Sequence, residues 1–148
     1  MPLYHLAMFP LREGSIIEPG NFGRMLHLYK YATDNGWMVA RELAFEMARL
    51  RVAPEAPSRL KACYALGSLE EARRYQDTNA RFNVMIEVEL SEPDAPQHWG
   101  YMQHFDGFVQ QEFMPAVSIR ADAYWSGVGT GDRELVTASG LRVLRMVS

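Results

Sequence analysis

The fold is decided by residues 51–75, which read RVAPEAPSRLKACYALGSLEEARRY. Pro54 and Pro57 disfavour helical backbone in the residues before them, so they end any helix that reaches this point. The apolar run at residues 62–66 predicts a buried strand, and Gly67 turns the chain. A rigid loop, a strand and a turn are therefore expected in that order.

A capping box then predicts the start of a helix at Ser68. The Ser68 hydroxyl and the Glu71 carboxylate can each accept a hydrogen bond from a free amide of the first turn. The predicted buried face of this helix consists of Leu69, Ala72 and Tyr75. The strand and the helix together present two tyrosines, Tyr64 and Tyr75.

Composition predicts one globular domain over residues 1–148. Hydrophobic residues make up 48% of the chain and charged residues 22%, which is ordinary for such a domain. The net charge of -3 argues against the basic surface of a nucleic-acid-binding protein. The single cysteine, Cys63, and the lack of a signal peptide or a run of ~20 apolar residues predict a cytoplasmic protein that has no membrane partner.

The first half of the chain contains one strand with a histidine and two helices. Residues 1–8 predict a strand with His5 in its middle, and helices are predicted over 21–32 and 37–50. The inward face of the second helix is predicted to hold Ala40, Leu43, Ala44, Met47 and Leu50, and its solvated face to hold Arg41, Glu42, Glu46 and Arg49.

The second half predicts mainly strands. Alternating apolar residues indicate a strand at 81–90 and another at 117–125, with a helical turn at 108–113. Residues 133–138 and 141–147 predict a closing pair of strands. The segment 98–107 is expected to be irregular and to cover a cleft.

No metal site is expected. His98 and His104 are six residues apart, which matches no usual spacing of metal ligands, and neither a cysteine nor a carboxylate pair joins them.

In order and spacing, residues 51–75 resemble PARP-type ADP-ribosyltransferases. The match runs from Arg51 through Pro54 and Pro57 to Tyr64 and Tyr75. It implies that NAD is bound and that the two tyrosines line the nicotinamide pocket. The family's Gly-Lys-Gly before the first tyrosine is replaced here by residues 61–63.

Two further matches extend the resemblance across the chain. Leu3-Tyr-His5 matches the strand that carries the family's histidine, which implies that His5 bonds a ribose hydroxyl of NAD. Arg133-Glu-Leu-Val-Thr137 matches the late strand that carries the catalytic glutamate, which implies that Glu134 is catalytic. The implied fold is α+β, a split antiparallel or mixed sheet with packed helices. Residues 57–60 and 123–127 also resemble an uncharacterised family of small bacterial domains.

The implied reaction breaks the bond between nicotinamide and ribose and transfers ADP-ribose to an unknown acceptor, with a protein as one candidate. Glu134 would stabilise the oxocarbenium-like transition state from an exposed position, so Glu134→Gln should abolish turnover and leave the fold intact. Independently of the resemblance, Arg59 is a candidate for the diphosphate, because a guanidinium binds it through two hydrogen bonds.

Two alternatives come from other classes. A catalytically silent domain that only binds a partner is favoured by the replacement at residues 61–63 and by Leu6-Ala7 after the histidine, where the family often has Gly-Ser or Gly-Thr. An RNA 2'-phosphotransferase-like enzyme would use paired arginines, and the acidic net charge argues against it.

Overall fold

The computed structural model describes residues 1–105 and 112–148, which form an α+β structure. Its strands are β1 (Leu3–Ala7), β2 (Ile16–Ile17), β3 (Cys63–Leu66), β4 (Val84–Leu90), β5 (Gln97–Tyr101), β6 (Arg133–Thr137) and β7 (Leu141–Met146). Its α-helices are α1 (Asn21–His27), α2 (Gly36–Val52), α3 (Leu69–Asn79) and α4 (Phe113–Trp125), with 3-10 turns at Arg59–Lys61 and Met102–Phe105. Among these residues no helix is long and apolar enough to cross a bilayer.

The strands form one seven-stranded sheet in the order β2-β7-β4-β1-β3-β6-β5. Every pairing between neighbouring strands in it is antiparallel. The strands predicted to carry His5, Tyr64 and Glu134 are β1, β3 and β6, which are consecutive in this order.

The sheet opens between β1 and β3. These strands pair at one position, Tyr4 with Leu66, whereas β1 and β4 pair at five. In addition, residues 138–140 alone connect β6 to β7, although three strands separate the two in the sheet order. Four steps across a flat sheet cover about 19 Å, whereas the four Cα–Cα steps from Thr137 to Leu141 reach about 14 Å at most. The sheet is therefore bent, with its two parts meeting at the β1–β3 junction.

Three apolar clusters pack this arrangement. The first lies on the sheet itself and joins both parts: Ala7, Cys63, Ala65, Ile86, Val88, Leu135, Leu141 and Val143. The second packs α2 and α4 against β6, with Phe45, Ala121, Tyr124 and Val136 fully buried. In the third, Ala72 of α3 packs against Tyr4, Leu66 and Met85.

The central segment folds as predicted. Residues 63–66 form a buried strand, and α3 begins after Ser68, whose side chain accepts a hydrogen bond from the Glu71 amide at 3.2 Å. The Ser68 hydroxyl donates in turn to the Glu71 carboxylate at 2.9 Å. Ser68 therefore caps the helix as predicted, whereas the Glu71 carboxylate accepts from the Ser68 hydroxyl rather than from the predicted free amide.

The strand predicted at 117–125 is wrong. Residues 113–125 form α4, in which Val117, Ala121 and Tyr124 are buried at helical spacing. Apolar residues at both two-residue and helical spacings made this segment ambiguous. The helical turn predicted at 108–113 lies largely outside the described residues, and Phe113 opens α4.

The predicted closing pair of strands is also wrong. β6 pairs with β3 and β5, whereas β7 pairs with β4 and β2. Residues 98–101, part of the segment predicted to be irregular, belong to β5. The strand predicted from residue 81 starts at Val84, and Phe82 is exposed.

The buried face of α2 differs from the predicted one. Glu42, Phe45 and Ala48 are buried, whereas Leu43 is 56% exposed and Met47 is 73% exposed. A carboxylate thus occupies a position on the inner face. Glu42 is buried because it pairs with Arg59, which belongs to the site described next.

Candidate functional site

One cavity of about 1010 Å³ lies beside the β1–β3 junction. Its walls come from β1, β3, β6, α2 and α3, from both 3-10 turns and from the loop before β6. All five predicted site residues line it: His5, Arg59, Tyr64, Tyr75 and Glu134.

His5 is held where the sheet opens. Its Nδ1 donates a hydrogen bond to the carbonyl oxygen of Tyr64 at 2.8 Å, which bridges β1 and β3 beyond their single paired position. Burial lowers the pKa of His5, although the bond to the Tyr64 carbonyl acts in the opposite direction. In the neutral ring that results, Nε2 carries a lone pair. No hydrogen bond joins Nε2 to any residue in the described ranges, so this atom can accept one from a ligand.

The two tyrosines reach the cavity from different elements. Tyr64 lies on β3, donates its hydroxyl hydrogen to the backbone oxygen of Arg59, and meets the Phe22 ring edge-on at 5.7 Å. Burial raises its pKa. Tyr75 comes from α3 and is more exposed. One tyrosine is therefore fixed, and the other lies at the surface of the cavity.

Arg59 is buried between two carboxylates. It is 4% exposed, and it donates to Glu42 from Nε at 2.8 Å and from Nη2 at 3.1 Å. Its Nη1 donates to the Tyr124 hydroxyl at 2.8 Å and forms an ion pair with Glu134. Although burial alone would lower the pKa of Arg59, the carboxylates Glu134 and Glu42 raise it.

These contacts change the role assigned to Arg59. The sequence predicted a guanidinium that binds a diphosphate, but the guanidinium found is occupied by protein partners. Releasing it would leave Glu42, which is 1% exposed, with Arg41 alone to balance its charge, and would take from Glu134 the cation that it pairs with. Arg59 therefore positions Glu134.

Glu134 is more buried than predicted. It is 9% exposed, and one oxygen, Oε1, accepts hydrogen bonds from Arg59 and from the Tyr124 hydroxyl, the latter at 2.8 Å. No side chain in residues 1–105 or 112–148 donates to Oε2. The expectation of an exposed Glu134 that adds little to stability is wrong, because the residue lies within a buried ion-pair network.

Tyr124 is the buried residue whose hydroxyl bonds both Arg59 and Glu134 in this network. It is fully buried, and its ring packs edge-on against Phe45 at 5.2 Å. Gly100 of β5 lies against the ring, since a Cβ built there would be 2.0 Å from Cε2 of Tyr124. Burial, together with the nearby Glu134 charge, raises the Tyr124 pKa. The hydroxyl therefore stays protonated and donates to Glu134.

Arg41 and the mouth of the cavity complete the site. Arg41 lines the cavity, donates from Nη2 to Glu42 at 3.0 Å, and lies 4.8 Å over the Phe105 ring. At the mouth, Arg74 of α3 binds Asp132 through two hydrogen bonds, at 3.0 and 2.7 Å. This pair ties α3 to the loop before β6.

Three of these residues were not predicted as part of a site: Arg41, Glu42 and Tyr124. A signal for Glu42 existed, because it precedes Phe45 and Ala48 at three-residue intervals and so shares their helical face. Tyr124 follows Val117 and Ala121 at helical spacing. Neither signal names the partner, which comes from another element.

A family model described as "Protein of unknown function (DUF2441)" matches residues 14–146. This span includes Arg59, Tyr64, Tyr75 and Glu134, and begins after β1. No curated protein matches the chain.

Proposed function

We propose that this chain, which belongs to the DUF2441 family of proteins of unknown function, is an NAD-dependent ADP-ribosyltransferase. The enzyme cleaves the bond between nicotinamide and ribose and transfers ADP-ribose to an acceptor. The proposal includes an ADP-ribosyltransferase-like fold of the His-Tyr-Glu type.

The observation that carries the proposal is the meeting of His5, Tyr64 and Glu134. Their sequence positions span 130 residues, and resemblance alone selected them. Nevertheless, their strands are consecutive in the sheet and all three line one cavity. The cavity volume of about 1010 Å³ lies at the upper end of the usual range for ligand sites, which suits a dinucleotide.

Glu134 supplies the negative charge that the reaction needs. As the bond breaks, nicotinamide leaves with the bonding electron pair and the ribose carbon develops positive charge, which a fixed carboxylate stabilises. The acceptor then attacks that carbon and loses its proton to Glu134 or to water. Because Arg59 and Tyr124 both hold Oε1, Oε2 is left to bond the 2-hydroxyl of the ribose.

His5 and the tyrosines hold the rest of the nicotinamide riboside. The Nε2 lone pair of His5 accepts a hydrogen bond from a ribose hydroxyl, since Nδ1 is already committed to Tyr64. Tyr64 and Tyr75 contact the nicotinamide ring, and aromatic faces suit this flat ring, which is cationic while it is bonded to ribose.

The test measures nicotinamide release from NAD by chromatography, with and without a cell lysate as a source of acceptors. Wild-type protein should release nicotinamide, and Glu134→Gln should lower the rate by on the order of a hundredfold or more. Glu89→Gln is the matched control, because Glu89 is exposed on β4 and pairs with Arg142 away from the cavity.

Because Glu134→Gln also disturbs the buried network, its folding must be checked by circular dichroism. Tyr75→Ala gives a second measurement, since Tyr75 is only partly covered and its loss should raise KM with little effect on folding. Release that is unchanged in both variants would overturn the proposal.

A catalytically silent binding module is the second candidate. The ion pair between Arg59 and Glu134 favours it, because the cation neutralises part of the charge that the transition state requires. NAD binding by the wild type without any nicotinamide release, in the presence of lysate, would support this candidate instead.

A further inference from the structure

We infer that Arg41 binds the diphosphate of the nucleotide in this cavity, the role that the sequence predicted for Arg59. The inference rests on the proposed function for the identity of the nucleotide. The existence of an anion-binding arginine in the cavity does not depend on it.

Among the described residues, three arginines line the cavity: Arg41, Arg59 and Arg74. Arg59 spends its donors on Glu42, Glu134 and Tyr124. In Arg74, Nε and Nη2 donate hydrogen bonds to Asp132, and Nη1 donates one to Glu70 at 2.6 Å. Both are therefore committed to protein carboxylates through all three nitrogens.

Arg41 differs from these two. One nitrogen, Nη2, donates to Glu42, and Nε is buried without a partner among the described residues. The side chain is 14% exposed, so most of the guanidinium is already withdrawn from water. A buried donor without an acceptor is costly, and Nη1, which also has no partner among the described residues, is the nitrogen from which Arg41 can reach a ligand oxygen.

The charges of the neighbouring groups do not oppose an anion. Glu42 and Glu134 are matched by Arg59 and Arg41, so the inner wall formed by these four residues has no net negative charge that would repel a diphosphate. The guanidinium carbon lies over the Phe105 ring, 4.8 Å from its centre, a contact that uses none of the N–H groups. A planar, pre-oriented fork of donors is what binds phosphate oxygens well.

The test compares ligands that contain and lack the diphosphate, by isothermal titration calorimetry. Arg41→Gln should weaken ADP-ribose binding by on the order of tenfold to a hundredfold and leave nicotinamide binding unchanged. Arg51→Gln is the control, because Arg51 lies on the same helix but outside the cavity and pairs with Asp122. It should leave both affinities unchanged.

Arg41→Lys covers the case in which Arg41→Gln does not fold. It keeps the charge and the contact with Glu42 but loses the fork, so ADP-ribose should bind several-fold more weakly. Wild-type affinity for ADP-ribose in the folded variant of this pair overturns the inference.

Inorganic pyrophosphate separates the two proposals. Pyrophosphate binding that depends on Arg41, in a protein that never cleaves NAD, leaves the anion site standing and removes the proposed function. If the protein cleaves NAD but wild type and Arg41→Gln bind ADP-ribose with equal affinity, the proposed function stands and the anion site at Arg41 is removed. A wild-type protein that binds neither ADP-ribose nor pyrophosphate overturns both.

Discussion

Arg59 and Glu42 face each other through two parallel hydrogen bonds, although they lie on different elements and 17 residues apart. The pair ties the 3-10 turn before β3 to the middle of α2. It also explains why α2 turns a carboxylate toward the interior. Because Arg59 reaches Glu134 with its remaining nitrogen, the pair determines where the Glu134 carboxylate lies.

Glu42→Gln should destabilise the fold strongly. Without Glu42, the cations Arg59 and Arg41 have one carboxylate, Glu134, between them, and a buried charge left uncompensated in this way typically costs about 3–5 kcal/mol. The free energy of unfolding, measured by denaturant titration, checks this. Glu89→Gln breaks an exposed pair with Arg142 and should cost less than about 1 kcal/mol. Equal small losses in the two variants would contradict the buried-pair interpretation.

Gly100→Ala should disturb Tyr124 and, through it, Glu134. The added methyl group would overlap the Tyr124 ring, so the ring or β5 must shift, and overpacking of this kind costs about 1–3 kcal/mol. Denaturant titration should show the loss, and nicotinamide release should fall with it. Gly36→Ala is the control, because a Cβ at Gly36, the first residue of α2, has nothing within 4 Å. A Gly100→Ala protein as stable as the control would be inconsistent with the packing described.

Stability should fall as the pH drops below about 6.5. Burial lowers the pKa of His5 and of His98 from the ordinary value of 6.5. Below pH 6.5 these two histidines therefore bind more protons in the unfolded chain than in the folded one. The stabilisation is thus complete above that pH and is lost as the pH falls from 6.5 toward the lowered values.

Denaturant titrations at pH 7.5 and pH 5.5 measure this loss. The pKa of Glu42 is also lowered by Arg59 and Arg41, although burial opposes them, but its contribution is lost mainly below its ordinary pKa of 4.5. His5→Gln should therefore reduce the difference between the two pH values, and His98 should account for part of the remainder. A difference as large in His5→Gln as in the wild type would contradict the role of His5.

The segment from Cys63 to Tyr75 could be predicted because its signals are local. The apolar run, Gly67 and the Ser68–Glu71 cap act within a few residues of one another, and the structure contains the strand, the turn and the capped helix.

The predictions are wrong where residues far away in the sequence determine which side chains are buried and which strands pair. The buried face of α2 depends on Arg59, which lies beyond the end of the helix, so the apolar Leu43 and Met47 misled the prediction. The separation of β6 from β7 depends on which strands pair with each, and a short connection alone favours a hairpin. For the site, resemblance selected His5, Tyr64, Tyr75 and Glu134, and the chemistry of the guanidinium selected Arg59, all of which share one cavity. Three further residues emerged only from the contacts: Arg41, Glu42 and Tyr124.

The single paired position between β1 and β3 gives His5 a mechanical as well as a chemical role. Its imidazole joins the two parts of the sheet at the β1–β3 junction through Nδ1, and Nε2 is the nitrogen that can bind a ligand. A sugar hydroxyl bound to Nε2 would restrict movement at the β1–β3 junction. Occupancy of the cavity should therefore make the whole sheet more rigid, and not the cavity alone.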